Sequence, residues 1–461
     1  MISPVVLWSD ILIFSLAISV GLFIFQVRKK PQAKARWRSV FESKIGLTSF
    51  IIILFYVLIS LMDSVHFREQ LSQFEAEGPD QNLAYSSEVK SILDVALKNL
   101  NSTAETTYSA PFSLYSFSKE NVKNDDGSVY RDFIRLKHGG AHIQGDEERF
   151  LDILIKSIQA ILVGLLIAAI PVILHVMMRK KSNHEEDYIP WNVAYFTIIT
   201  LITLTTWVII LSQYYHILGT DKVGQDVLYQ SIKSIRTGVL IGTLATLVTL
   251  PFAIILGISA GYFKGWIDDT VQFIYTTLSS IPGILLIAAS VLLIDVYIET
   301  NPEKFNLTIL RSDFKFIALC AILGLTSWTT LCRMLRAETL KVSQLDYVQA
   351  AHAFGVSHRG VIGKHILPNV THIILIAVVL DFSAFVLAEA VLSYIGVGVD
   401  PNMYSWGNMI NAARSELSRD PTVWWSVTSA FILMFTLVLA ANLFSDEVRN
   451  AFDPRTAKGN E

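Results

Sequence analysis

The feature of this sequence that most restricts its fold is a series of long apolar runs. Nine stretches are long enough to cross a bilayer as helices, which takes about 20 mostly apolar residues; they are 5–27, 46–63, 151–178, 192–213, 232–257, 271–296, 314–334, 370–394 and 423–444. Backbone polar groups in hydrocarbon have to be satisfied within the chain, so runs of this length favour helices. The sequence therefore predicts an all-α polytopic membrane protein with about nine transmembrane helices.

The overall composition agrees with this interpretation. Charged residues make up 17% of the 461 residues and hydrophobic residues 52%, whereas soluble domains carry about 25% charged residues. A formal net charge of −3 gives no indication of a nucleic-acid partner. Cys320 and Cys332 lie in one apolar run, so we expect packed free thiols rather than a disulfide or a zinc site.

Basic residues near the ends of the runs predict the orientation in the membrane. They cluster at 28–44, at 179–181 and within 335–369, and such clusters favour the cytoplasmic side. This predicts the N-terminus outside and the C-terminus in the cytoplasm. The first run has no basic residues ahead of it, so we expect a retained helix rather than a cleaved signal peptide.

Residues 64–150, called the polar insert below, differ in kind from the apolar runs and are predicted to lie outside. Within the insert, residues 86–100 place apolar side chains at helical spacing after serines suited to cap a helix. The insert is long enough for a small extracytoplasmic domain, and equally for a loose loop that packs on a partner. The sequence leaves both alternatives open.

A second polar stretch, residues 335–369, is called the 335–369 loop. An amphipathic helical pattern extends to Gly355, a residue type that ends helices by adopting left-handed dihedrals. Ser357 is placed to cap a second short helix, and the next apolar run begins beyond Pro368. The pattern predicts a cytoplasmic helix–turn–helix with the small residues Ala350 and Ala351 at its middle. It is either a docking surface or an ordinary solvated loop.

Residues of this loop resemble the EAA loop of ABC-importer permeases. Gln349-Ala350-Ala351 is followed by Gly355 after three residues and later by Leu367-Pro368. The longer string, which begins with Asp346-Tyr347-Val348, is similar to the dipeptide/oligopeptide permease family. Gln349 stands where that family's loop has glutamate, which puts a charged contact at this position in doubt.

Further strings match the same family in the same order along the chain, and together they resemble the C-type permease subunit over roughly 190–456. Gln225 departs from the pattern, since arginine or a similar residue is often found there, and the N-terminal 190 residues have no counterpart. The strings are His216-x-Leu218-Gly219-Thr220-Asp221-x-x-Gly224-x-Asp226, then Leu392-Ser393-Tyr394-Ile395-Gly396-Val397-Gly398 followed by Ser405-Trp406-Gly407-Asn408, and Phe452-Asp453-Pro454-Arg455.

The resemblance implies a division of labour in a bacterial inner (cytoplasmic) membrane. A second homologous permease subunit would complete the path for di- or oligopeptides, and an extracytoplasmic binding protein would deliver them. Two separate ABC ATPase subunits would carry ATP and Mg, so this chain would bind no cofactor or metal and would not be an enzyme by itself. The residues implied to face the ATPases are Asp346, Tyr347, Val348, Gln349, Ala350, Ala351, Gly355, Leu367 and Pro368.

Four regions are predicted from these observations. Residues 1–63 form two additional transmembrane helices with a basic cytoplasmic loop, and 64–150 form the polar insert. Residues 151–190 add a third helix and a cytoplasmic linker, and 191–461 form a six-helix permease core. The resemblance says nothing of the role of the additional helices, and it leaves dipeptides, longer peptides, a metal chelate or an antimicrobial peptide as substrates.

Asp381 and Glu389 lie eight residues apart in the eighth run, within one broad helix face. An ionisable group at mid-membrane costs about 2.5–3.5 kcal/mol on insertion scales, so it usually faces a cavity or a partner. The two carboxyls are candidates for lining the translocation path. The alternative is a buried polar contact.

Other classes of function have less support. A self-sufficient secondary transporter or channel predicts charge in several spans and an inverted repeat, and the runs contain little charge. The sequence has no Gly-x-x-x-x-Gly-Lys-[Ser/Thr] string for ATP and no His-Glu-x-x-His string for an intramembrane metalloenzyme. His138 and His142 are separated by glycines and have no evident third ligand, so no metal site is expected there.

Overall fold

The computed structural model describes residues 2–29, 31–70, 85–86, 88–123, 129–181, 189–305 and 307–452. Within these ranges, nine helices are long and apolar enough to cross a membrane. The all-α polytopic class is confirmed, and the orientation of the termini stays a prediction. The helices are α1 (Trp8–Arg28), α2 (Pro31–Glu42), α3 (Lys44–Asp63), α4 (Ile92–Ala96), α5 (Lys98–Ser102), α6 (Arg149–Lys181), α7 (Trp191–Leu211), α8 (Val227–Phe263), α9 (Gly265–Ser279), α10 (Gly283–Thr300), α11 (Thr308–Val342), α12 (Asp346–Ala353), α13 (His358–Val361), α14 (Leu367–Tyr394), α15 (Trp406–Ala413) and α16 (Trp425–Phe452).

The chain divides into two compact units, each built from three separate stretches. The first unit contains Met1–Val6, Phe41–Thr237 and Tyr404–Leu437, and the second contains Leu7–Val40, Gly238–Met403 and Val438–Glu461. Neither unit coincides with one of the four predicted regions, whose boundaries stay a prediction.

In the first unit, helices α3, α6 and α7 pack together with the described part of the polar insert. Leu93, Leu97 and Leu100 of the insert share a buried cluster with Leu211 and Ile217. Apolar burial of this kind stabilises each large side chain by about 1.5–3 kcal/mol. The described part of the insert is therefore packed against helices of this chain.

Short antiparallel strands complete the insert. Strand β1 (Ile2–Val5) pairs with β2 (His66–Glu69) in the register Val5↔His66, and β2 pairs with β3 (Lys90–Ser91). Strands β4 (Glu120–Lys123) and β5 (Val129–Asp132) form a separate hairpin. The N-terminal residues thus add a strand to a sheet of the insert, which the apolar pattern of the sequence did not predict.

The helix predicted over 86–100 begins later than expected. Residues Lys90–Ser91 form β3, and the helical part is divided into α4 and α5. Ser91 and Asp94 explain the start, because the Ser91 Oγ accepts the Asp94 N–H at 3.2 Å and the Asp94 carboxylate accepts the Ser91 N–H at 2.8 Å. This reciprocal capping box satisfies two donors that the first helical turn leaves free.

In the second unit, helix α11 contacts α1, α9, α10 and α14. Asp313 of α11 accepts the backbone N–H groups of Trp8 at 2.9 Å and Ser9 at 3.3 Å, which caps the start of α1. Glycines let α8 approach α11 closely, because a Cβ on Gly257 would lie 2.8 Å from the Cys332 carbonyl oxygen. Both cysteines are buried free thiols, as predicted.

The prediction of a single helix over 271–296 is wrong. The chain forms α9 up to Ser279 and starts α10 at Gly283. Pro282 explains the interruption, because proline has no N–H to donate and disfavours helical dihedrals in the residue before it. Pro251, in contrast, lies inside α8 without ending it.

A buried lysine joins three parts of the first unit. The Lys233 Nζ of α8 lies 2.6 Å from the Asp63 Oδ1 of α3 and 2.9 Å from the Asp94 Oδ1 of the insert. The Tyr229 hydroxyl also donates to Asp94, at 2.8 Å. All three charged side chains are at most 10% exposed, so each charge depends on the others for compensation.

Replacing Lys233 tests this dependence. We expect Lys233→Met to lower the free energy of unfolding by about 3–5 kcal/mol, because it leaves two carboxylates buried without their cation. Lys90→Met is the matched control; it breaks a more exposed pair with Glu69 and should cost at most about 1 kcal/mol. Denaturant unfolding in detergent micelles measures both, and equal losses would contradict the assignment.

Candidate functional site

The 335–369 loop folds as the predicted helix–turn–helix. Helix α12 ends before Gly355, which has a φ of +77°. The Ser357 Oγ accepts the Gly360 N–H at 3.3 Å and caps α13. A widened helical turn, Ile362–Ile366, then leads into α14, with Pro368 in its first turn. The glycine stop and the serine cap are both confirmed.

One face of the loop is anchored in the core of the second unit. Val348, Val361 and Ile366 are at most 1% exposed and belong to one apolar cluster. Tyr262 of α8 and Trp328 of α11 are members of the same cluster. These contacts fix the position of α12 and α13 on the ends of the long helices.

The opposite face of the loop is open. Phe354 is 86% exposed, and Leu345 and Tyr347 are more than 40% exposed. Exposed apolar side chains in a contiguous stretch mark surfaces that bind another protein. Among the residues that the sequence assigned to the ATPase contact, Val348 is buried and Ala351 is half-buried. The exposed ones are Asp346, Tyr347, Gln349, Ala350, Gly355, Leu367 and Pro368.

Phe354 was not among the predicted contact residues. Its position directly before the helix-ending Gly355 is the sequence signal that could have found it, because an apolar residue at a helix end has few neighbours of its own chain to cover it. Gln349 donates from its Nε2 to the Gln344 carbonyl at 3.0 Å. The amide that replaces the expected glutamate therefore has a partner within the loop.

The 216–226 string lies in the first unit and caps the start of α8. The Asp226 Oδ1 accepts the N–H groups of Leu228 at 2.8 Å and Tyr229 at 3.1 Å, as expected for an N-cap aspartate. The other oxygen, Oδ2, lies 2.8 Å from the His216 Nδ1. His216 and Asp226 are therefore brought together, as part of the helix start.

Glu105 of the polar insert completes this group, and sequence reasoning missed it. The Glu105 Oε1 lies 3.5 Å from the His216 Nε2. Its two oxygens also accept backbone N–H groups of Lys137, His138 and Gly139 at 2.8–3.1 Å. No local pattern marks Glu105, because all of its partners lie more than 30 residues away in the sequence.

Two glycines of the string are explained by the same docking. Gly219 and Gly224 have φ values of +67° and +77°. A Cβ would lie 2.3 Å from the Ser109 carbonyl oxygen at Gly219 and 1.9 Å from the Glu105 carbonyl oxygen at Gly224. Only glycine allows the insert's backbone to approach this closely.

The remaining polar residues of the string also bond within the first unit. The Thr220 Oγ1 accepts the Ser109 N–H at 2.7 Å and donates to the Thr107 carbonyl at 2.8 Å. The Asp221 Oδ1 accepts the N–H groups of Val223 and Gln225, both at 2.9 Å. The string thus serves as a docking edge for residues 105–110 and 137–139 of the insert.

The charges of Glu105 and His216 stabilise each other. Burial alone would lower the pKa of His216, but the hydrogen bond with Asp226 and the nearby carboxylate of Glu105 raise it to about 9. Burial would likewise raise the pKa of Glu105, but the His216 imidazole beside it and the hydrogen bonds from three backbone N–H groups lower it to about 2. Both residues are therefore charged over the whole neutral range.

The second family string is divided between two places. In the second unit, Gly396 has a φ of +83° and ends α14, and a Cβ on Gly398 would lie 1.9 Å from the Ser393 Oγ. In the first unit, the Ser405 Oγ accepts the Asn408 N–H at 2.9 Å and caps α15. Trp406 and Gly407 are buried there, and the Trp406 Nε1 donates to the Ser231 carbonyl at 3.1 Å.

The two intramembrane carboxyls have different surroundings. Glu389 is 2% exposed and accepts a hydrogen bond from the Ser393 Oγ at 2.7 Å. Asp381 is half-buried in the middle of α14. Their role as lining of a path stays a prediction.

Two remaining predictions concern the tail string and metal binding. In the tail string, Phe452 packs with Val40 and Val448, and Asp453-Pro454-Arg455 lies outside the described residues. In the part of the chain that the structure covers, no three His, Cys, Asp or Glu side chains lie together as metal ligands.

Comparison with known sequences finds transport-system permeases among the relatives of this chain. Residues 253–458 match the family described as "Binding-protein-dependent transport system inner membrane component". The oligopeptide transport system permease protein OppC of Mycobacterium tuberculosis is 33% identical over 239 residues, 52% of this chain and 76% of the relative. The glutathione transport system permease protein GsiD of Pectobacterium atrosepticum is 30% identical, over 52% of this chain and 73% of the relative.

A third relative is the dipeptide transport system permease protein DppC of Lactococcus lactis. It is 28% identical over 243 residues, which cover 53% of this chain and 65% of the relative. The part of this chain that matches the family model, residues 253–458, includes the 335–369 loop, Asp381 and Glu389.

The docking of the insert predicts a dependence on pH. The raised pKa of His216 means that its contribution to stability is complete below its ordinary value of 6.5 and is lost as the pH rises through about 9. The lowered pKa of Glu105 means that its contribution is lost only as the pH falls from 4.5 through about 2. We expect the melting temperature to be highest near pH 4.5–6.5 and to decline above that window.

His216→Gln should remove most of the decline between pH 6.5 and 9, because glutamine does not titrate. His142→Gln is the control, since His142 is a half-exposed histidine that bonds Asp152. Thermal unfolding of the purified variants over pH 5–10 measures the difference. The same decline in both variants would contradict the role of His216.

Proposed function

The chain belongs to the family of binding-protein-dependent transport system inner membrane components, and from this premise we propose that it is the permease subunit of a bacterial ATP-driven peptide importer. Membership follows from the match to OppC at 33% identity over 76% of that relative. In the proposed complex a second permease completes the path and a binding protein delivers the substrate outside. Two ATPase subunits bind ATP and Mg on the cytoplasmic side.

The observation that carries the proposal is the two-sided construction of the 335–369 loop. Val348, Val361 and Ile366 hold it against the ends of α8, α11 and α14, while Phe354 and its exposed neighbours have no cover within the described chain. A rigid, partly apolar helix–turn–helix of this kind suits the groove of another subunit. The ATPase is the partner that this loop is proposed to receive.

The proposed work cycle follows from this placement. ATP closes the ATPase pair, which moves the loop and, through its buried anchors, the long helices behind it. ATP can shift the permease between inward- and outward-facing states only if it favours one of them. In the proposal this chain contributes no group to ATP hydrolysis. It converts the movement of the ATPases into a switch of the translocation path between its inward- and outward-facing states.

The substrate class is proposed from the relatives. The names of three of them refer to oligopeptides, a dipeptide and glutathione, which are all short peptides. We extend this class to the present chain. The polar insert is proposed to contact the partner permease or the binding protein, because it is predicted to lie outside the membrane.

A charged substitution on the open face tests the docking of the ATPases. We expect Phe354→Asp to reduce the ATPase recovered with the tagged chain at least about tenfold, since placing a carboxylate in an apolar interface costs several kcal/mol. Phe133→Asp is the matched control, because Phe133 is an exposed phenylalanine of the insert. Purification in mild detergent with quantification of the ATPase measures both.

If the ATPases accompany both variants equally, the open face is not their docking site. If the unmodified chain is recovered without a second permease or an ATPase, the importer assignment itself fails.

A further inference from the structure

One tyrosine hydroxyl connects a long helix to both helices of the 335–369 loop. Tyr262 lies in the last turn of α8 and is 9% exposed. Its Oη is 2.6 Å from the His352 Nε2, in the last turn of α12, and 2.9 Å from the His358 Nδ1, at the start of α13. The three residues come from three elements and meet at a single oxygen.

The hydrogen-bond chemistry of this bridge makes it directional. A phenol has one proton to donate and can accept at the same oxygen, and a neutral imidazole has one donor and one acceptor nitrogen. The Tyr262 hydroxyl can therefore donate to one histidine only, and the other histidine has to donate to Oη. Because His352 bonds through Nε2 and His358 through Nδ1, one donor and one acceptor at Oη require the same tautomer in both neutral rings. The bridge also holds both rings at set angles to the phenol.

Ring contacts add to the bridge. The His352 ring stacks on the Tyr262 ring with centroids 5.6 Å apart and an interplanar angle of 17°. The His358 ring meets the same ring edge-on at 5.7 Å and 76°, and the two imidazoles are 5.3 Å apart. Phe263 also contacts His358, at 5.7 Å.

The bridge spans the turn between α12 and α13. Gly355 lies between the two histidines, and nothing lies within 4 Å of where its Cβ would be. The apolar anchors of α12 and α13 restrict position, but apolar contacts have no preferred direction. A hydrogen bond does have one, so the Tyr262 hydroxyl restricts the angle between the two helices and their orientation to α8.

We propose that Tyr262 is a positioning residue for energy coupling, whose hydroxyl makes α12, α13 and the end of α8 move as one body. A movement imposed on the open face of the loop then reaches α8 without being absorbed at Gly355. The inference rests on the proposed function for its transport consequences. Its structural part, the rigidity of the loop, does not depend on that function.

Tyr262→Phe is the test, because it keeps the ring and removes the bridging oxygen. In the complete importer, in lipid, we expect peptide uptake per ATP hydrolysed to fall about three- to tenfold, the range that the loss of one or two such bonds supports. The ATPases should remain bound, and the KM for ATP should not change. Tyr297→Phe is the control, since it removes the hydroxyl of a half-exposed tyrosine of α10.

A double-substitution cycle separates positioning from a general loss of packing. If Tyr262 acts through the histidines, Tyr262→Phe should have no further effect in a chain that already carries His352→Phe and His358→Phe. Unchanged uptake per ATP in Tyr262→Phe overturns the proposal. So does loss of the ATPases from that variant, or a full further loss in the triple variant.

Hydrogen exchange of the purified chain gives a readout that does not require the importer. Tyr262→Phe should increase amide exchange over 350–361 by at least about threefold, while Tyr297→Phe should leave it unchanged. If uptake fails even in the unmodified complex, this measurement still decides the structural part of the proposal, the rigidity of the loop. Equal exchange in the two variants shows that the bridge does not fix the loop.

Discussion

The first unit depends on the compensation of charges buried at the start of α8. Lys233 of this helix pairs with Asp94 of the polar insert. Asp226, which caps the helix, pairs with His216, and the other ring nitrogen of His216 faces Glu105 of the insert. A buried charge without a partner costs several kcal/mol. The helix start therefore cannot reach this arrangement unless the insert is folded against it. The family comparison leaves the insert unexplained, but the start of α8 depends on it for charge compensation.

The helices could be predicted from the sequence because their signal is local. Length and apolar content identified nine spans, and Gly355 and Ser357 identified the end and the start of the two loop helices. The misjudged segment, 271–296, is also explained locally, by Pro282. The docking of the insert could not be predicted, since Glu105, His216 and Asp94 meet partners that are distant in sequence and that no periodicity marks.

The place of the candidate docking surface was predicted from the sequence, but the residues exposed on it differ in part from the predicted set. A helical repeat places Val348 on the buried face when Gln349 and Ala350 are exposed, because successive residues are about 100° apart around the axis. A motif read as a string includes both faces. The structure separates them, and it adds Phe354, whose exposure follows from the end of α12 rather than from the motif.

The 216–226 string shows why a matched motif does not by itself give a residue's role. Its histidine, glycines, threonine and aspartates resemble a family pattern, and the resemblance alone assigns them no role. In this chain His216 and Asp226 bond each other at the start of α8, and Asp221 bonds within its own turn. Thr220 and the two glycines contact the insert. A binding protein or a second permease that approaches this region would therefore meet the surface of the insert as well as the string. The additional N-terminal residues of the chain thus change the surface that the string offers while keeping its residues, and the roles of those residues have to be argued from their contacts.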